Sequence, residues 1–189
     1  MNRALYLAGF GYLAICAAVV TRHRAPRAAR EPVAAAVRFD GPAEQWYAAI
    51  KPFCNAVEVV LAQRRHPAPG TVEGRGFSAA CYALGGKVDS ARAIIDRLPA
   101  ADRQRAAGIV FEVAHPVADA GDDRSAGPIM ELVVDYWPNH YMALYHAGMA
   151  EYALGQTALA RSHLLAFLSY YSADDGWRRN ARDVLERLR

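Results

Sequence analysis

Three times in this sequence a glycine closes an apolar stretch, a short polar turn follows, and an alanine opens the next apolar stripe. The segments are Leu84-Gly85-Gly86-Lys87-Val88-Asp89-Ser90-Ala91, Ala120-Gly121-Asp122-Asp123-Arg124-Ser125-Ala126 and Leu154-Gly155-Gln156-Thr157-Ala158-Leu159-Ala160. Gly86, Gly121 and Gly155 stand 35 and 34 residues apart, and Ala91, Ala126 and Ala160 keep the same intervals. A period of that length signals a stacked array whose unit is one supersecondary element. Glycine enters the left-handed region without a Cβ penalty, so it can end one helix and reverse the chain. Asp89, Ser125 and Thr157 are candidates to cap the helix that follows. The small alanine five residues after each glycine lets two antiparallel helices approach closely. The pattern predicts helical hairpins.

Apolar spacing agrees. Ala160, Leu164, Phe167, Leu168 and Tyr171 share one helical face, and so do Trp177, Ala181, Val184, Leu185 and Leu188, opposite Arg178, Arg179, Arg182 and Arg187. A single apolar stripe with a charged back suits a terminal capping helix, and Ser172-Ala173-Asp174-Asp175 offers its cap. Trp46, Ile50, Phe53, Val57, Val60 and Leu61 form a stripe over residues 42–64, with Pro52 off it. Residues 42–64 are therefore expected as one kinked helix or as two helices broken at Pro52. No stretch alternates at period two, so no sheet is expected. The fold class is all-α.

The residues at these positions resemble the tetratricopeptide (TPR) repeat family. The unit starting at Tyr141 supplies Gly148, Gly155, Ala160 and Leu164, with Leu144 and Leu154 in register. The unit before it supplies Ala114, Gly121, Ala126, Met130 and a closing Pro138. The unit near Val72 supplies Ala79, Tyr82, Gly86, Ala91 and Ile95, with its proline displaced to Pro99. The resemblance covers residues 72–171. It implies a solenoid of about three antiparallel hairpins and a C-terminal capping helix, over residues 42–189. Two departures stand out: Glu151 occupies an aromatic position, implying a rotated inward face, and Phe167 a small one, implying looser packing.

The family's first helices line a concave groove, which implies a partner-binding set of Phe111, His115, Met142, Tyr145, Met149 and Tyr152. Aromatic and methionine side chains give the contact area and adaptability that protein-binding surfaces use. The same side chains also suit the core between helices, and the sequence leaves both roles open.

Upstream, Ala4 to Val20 carries no charge. Seventeen residues, or eighteen with Thr21, at about 1.5 Å each make a helix of up to roughly 27 Å, just enough to span a hydrocarbon core. Residues 1–21 are read as a single transmembrane anchor and residues 22–41 as a basic Ala/Pro/Arg-rich linker. Arg22, Arg24, Arg27 and Arg30 flank the anchor, and by the positive-inside rule they put the repeat domain in the cytoplasm of a bacterial-type inner membrane. The alternative is an exported, periplasmic or lipid-anchored domain, suggested by Leu13-Ala14-Ile15-Cys16.

Residues 1–42 hold six arginines against Glu31 and Asp40, while the remainder balances 16 basic against 17 acidic side chains. A near-neutral body lacks the clustered basic face that nucleic acid requires. Cys16, Cys54 and Cys81 show no metal-ligand spacing and are expected as free thiols in a reducing compartment. There is no HExxH, no CxxC and no clustered acid–His pair, and the six histidines read as ordinary helical residues. Gly74, Gly76, Gly85 and Gly86 make no phosphate loop, because no strand precedes them and no GK[ST] follows. Ser78, Cys81 and His115 are the one nucleophile–base grouping that neighbouring units could bring together. Asp122-Asp123 and Asp174-Asp175 suit helix starts. No catalytic residue, metal ligand, cofactor or small-molecule substrate is expected. The expectation is a non-enzymatic scaffold, assembly factor or accessory subunit whose partner is a membrane protein or complex; an enzyme on a helical scaffold is a further alternative.

Overall fold

The computed structural model describes residues 42–189. The expected anchor at 1–21, the expected linker at 22–41 and Arg22, Arg24, Arg27 and Arg30 lie outside the described residues. Within them the chain is all helical, with no strand. The helices are α1 (Ala43–Ile50), α2 (Val59–Arg65), α3 (Val72–Leu84), α4 (Val88–Asp96), α5 (Ala100–Asp119), α6 (Asp123–Tyr136), α7 (Tyr141–Ala153), α8 (Thr157–Tyr170) and α9 (Gly176–Arg187), with a 3₁₀ turn at Lys51–Phe53. No helix among the described residues is long and apolar enough to cross a membrane.

The three glycine turns are built alike. Gly86, Gly121 and Gly155 have φ of +70°, +78° and +76°, and they are the positive-φ residues among those described. In each turn the amide after the glycine reaches back to the last helical turn: Lys87 N to Tyr82 O at 2.9 Å, Asp122 N to Val117 O at 3.3 Å, and Gln156 N to Glu151 O at 2.8 Å. The glycine amide bonds to the carbonyl three residues back at 2.9, 2.9 and 3.1 Å in the same order. This paired bonding satisfies carbonyls that a helix end leaves orphaned. Capping is less uniform than the sequence suggests. The N-cap residues are Lys87, Asp122 and Gln156, and of these Asp122 alone caps with its side chain, accepting from Ser125 N at 3.2 Å. Asp89, Ser125 and Thr157 lie inside the helices and are not the caps.

Ala91, Ala126 and Ala160 are fully buried, as close helix approach requires. Helices α7 and α8 also approach closely. A Cβ on Gly148 would lie 2.7 Å from Leu164 Cγ, and Leu164 is itself buried. Gly148→Val should therefore cost about 1–3 kcal/mol through overpacking. The readout is a lower urea midpoint at unchanged slope, and an unmoved midpoint would mean that α7 and α8 are not in this register. Phe167 does not loosen its surroundings, contrary to expectation. It is wholly buried between Tyr145 and Tyr171, with ring centroids at 5.1 and 5.0 Å.

The N-terminal stripe resolves as two helices broken around Pro52, and the break changes the buried set. Asn55 Oδ1 accepts from the amides of Val57 and Glu58 at 3.1 and 3.0 Å, an Asx turn that restarts the helix in a new register. Trp46 and Ile50 stay buried, Val59 and Ala62 join them, and Phe53, Val57 and Leu61 turn outward. Cys54 and Cys81 form a disulfide that joins this segment to α3. That overturns the expectation of free thiols at both positions. Their 27-residue separation gave no sign of the contact, which exists because the Pro52 break folds Cys54 back over α3. Cys16 lies outside the described residues.

Candidate functional site

The expected partner groove is largely roofed by the chain itself. Phe111 and Tyr145 are buried, and His115, Met142, Met149 and Tyr152 are half-buried. Helix α9 accounts for much of this. The Trp177 ring stands edge-on to Tyr145 at 5.0 Å, and Asn180 Nδ2 donates to the Tyr145 hydroxyl at 2.6 Å. Met142, Met149 and Tyr152 pack against the same C-terminal core. The structure divides the set: Phe111 belongs to the central core, Tyr145, Met149 and Tyr152 to the C-terminal one that includes α9, and Met142 packs against both.

Glu151 does not rotate the helix face out. It is 1 % exposed and presents both carboxylate oxygens to His163 Nδ1 at 2.8 Å, tying α7 to α8. Burial pushes its carboxyl above the usual range, and the His163 contact partly opposes that shift. A buried carboxylate fits there because it is paired.

Ser78, Cys81 and His115, which neighbouring units could have brought together, do not form a nucleophilic site. Cys81 is in the disulfide, and the Ser78 hydroxyl donates to Gln63 Oε1 while Gln63 Nε2 donates to Ser78 O at 3.0 Å. Asp122 and Asp175 act as N-caps, in line with the helix-start reading.

A different cluster does form. His115 and Asp119 lie one turn apart on α5, and His146 reaches them from α7. Asp119 Oδ1 is 3.3 Å from His115 Nε2 and 3.5 Å from His146 Nε2. Neither Nε2 meets hydrogen-bond geometry with any group. The rings are held by aromatic neighbours: Phe111 stacks on His115 at 4.6 Å, and Tyr145 and Trp177 stand edge-on to His146 at 5.3 and 5.7 Å. Burial, with a lesser push from His115, lowers the His146 pKa to about 4, so the ring is neutral at pH 7. The reading of no clustered acid–His pair is corrected here. His115 and Asp119 carry the i, i+4 spacing that puts two side chains on one helical face, which is a signal legible in the sequence. His146 carried no such signal, since only the packing of α7 beside α5 in the central core brings it there.

A second surface feature lies at the start of the domain. Phe53, Val57, Glu58, Leu61, Ala62, Arg65 and His66 line an open concavity of about 280 Å³. Val57 is 88 % exposed, and Phe53 and Leu61 are also exposed.

Comparison with protein-family models, with curated proteins and with solved structures gives no match to this chain.

Proposed function

We propose that residues 42–189 are a non-catalytic, TPR-like protein-docking module, held at a membrane by the apolar segment before it. The observation that carries this reading is the apolar concavity of Phe53, Val57 and Leu61, three large side chains left outside the core beside the start of the domain. Clustered exposed apolar groups of that kind mark interaction surfaces. A tether would confine the concavity near the bilayer and raise its effective concentration against a membrane partner.

Two placements compete, and each has one observation behind it. The Cys54–Cys81 disulfide favours an oxidising compartment, hence export. Arg22, Arg24, Arg27 and Arg30 favour the cytoplasm. We adopt export, because a thiol pair closed by the fold speaks for the domain itself. A reporter fused after Arg189 decides between them: activity confined to the cytoplasm would overturn export.

The docking reading is tested with a photo-crosslinking residue at position 57 in the full chain in its own membranes. A discrete adduct should form there and vanish with Leu61→Asp, while the same residue at Arg161, on α8, yields none. Because Leu61 is exposed, its loss should leave the fold intact. An adduct pattern identical at both positions would sink the proposal. So would an adduct that survives Leu61→Asp but disappears in Met149→Ala/Tyr152→Ala, which would return the interface to the half-buried groove.

A further inference from the structure

We propose that His115, Asp119 and His146 form a zinc-binding site that links α5 to α7. The three donor atoms all lie within 4.8 Å of one another. Two of them, the Nε2 atoms of His115 and His146, face Asp119 Oδ1 at 3.3 and 3.5 Å without hydrogen-bonding it or anything else. Leaving a buried ring nitrogen unpartnered costs free energy, and the side chain of His146 is only 5 % exposed. A bound cation at the common focus satisfies both nitrogens and the carboxylate together.

The donor set and spacing select the ion. Two imidazoles and one carboxylate disfavour the hard oxygen-seeking ions calcium and magnesium. With metal–ligand bonds of about 2.0–2.1 Å, tetrahedral geometry puts donors roughly 3.3–3.4 Å apart. Octahedral geometry would bring neighbouring donors to about 2.9 Å from the same bond lengths. The 3.3 Å distance from His115 to Asp119 equals the tetrahedral value, the 3.5 Å distance from His146 lies just above it, and the separation of the two rings, within 4.8 Å, must shorten by a turn of the half-buried His115 ring. Exposure grades across the site, with side-chain values of 5 % for His146, 29 % for His115 and 46 % for Asp119. The fourth coordination position therefore opens toward solvent on the Asp119 side, where water or a donor from a bound partner completes the shell. The stacked Phe111 borders the His115 ring and the edge-on Trp177 borders the His146 ring, so a turn of His115 is the one adjustment the site needs.

The test uses the full chain, purified in detergent, stripped with chelator and titrated with Zn²⁺ alone. Binding should be one ion per chain and should raise Tm by roughly 5–10 °C at a hundredfold excess over Kd, whereas Mg²⁺ gives no shift. Co²⁺ in the site should show the intense visible absorption of a tetrahedral centre. His115→Ala and His146→Ala should each weaken Zn²⁺ binding by at least about a hundredfold, and Asp119→Asn by less. If His146→Ala fails to fold, the more exposed His115→Ala carries the test, with helicity in the absence of metal as its control. No saturable Zn²⁺ binding by the wild-type chain, binding that survives His115→Ala in a folded protein, or a weak octahedral Co²⁺ spectrum would each overturn the assignment.

Discussion

Replacing Cys54 and Cys81 together with alanine should lower the unfolding free energy by about 3–4 kcal/mol. The bond closes a segment of 27 residues, and holding the ends of such a loop together removes unfolded-state entropy of that order. Other contacts share the work of holding α1 and α2 to α3, among them the Gln63–Ser78 bonds and the Tyr47 ring stacked on Phe77 at 4.8 Å. The Trp46 indole donates to His66 O at 3.1 Å, and Trp46, Ile50 and Val59 fill a small core against α3. Urea unfolding of the oxidised protein and of the double variant measures the difference directly. The loss should be concentrated in α1 and α2, so amide exchange there should quicken more than in α7 or α8. Alkylation of the untreated protein should leave both thiols unlabelled until reductant is added. Free labelling of both cysteines in material taken straight from cells would place the domain in a reducing compartment and remove the main support for export.

Tyr145→Ala should cost about 3–5 kcal/mol, the range for deleting a buried aromatic ring. Its ring sits against Phe167 at 5.1 Å and Trp177 at 5.0 Å, and its hydroxyl accepts from Asn180 at 2.6 Å. Tyr145→Phe keeps the ring and loses only the hydroxyl contact, so about 1 kcal/mol is expected. The pair of variants separates two roles for one residue. A core role makes the alanine variant unfold early even with no partner present. A groove role would leave thermal unfolding unchanged and show only in binding. Truncation at Tyr145 is consequently a poor probe of docking, and Val57 and Leu61 are better ones because they are exposed.

Local chemistry was legible wherever a residue's own conformational preference decides the structure. The helix ends at Gly86, Gly121 and Gly155 follow from glycine's access to positive φ, and the stripe from Trp177 to Leu188 follows from helical periodicity. The helix break near Pro52 follows from a missing amide hydrogen, although the register in which α2 restarts does not. The sequence alone therefore determined an all-helical domain with three equivalent turns.

Contacts between distant segments needed the tertiary structure. Cys54 meets Cys81 only because the broken N-terminal segment returns over α3. His146 meets His115 and Asp119 only because α7 packs beside α5, and Tyr145 becomes core only because α9 folds across it. Turn chemistry acts over a few residues and is written in their identities. A contact spanning 27 or more residues depends on how whole helices pack, and many sequences with the same periodicity would pack them differently.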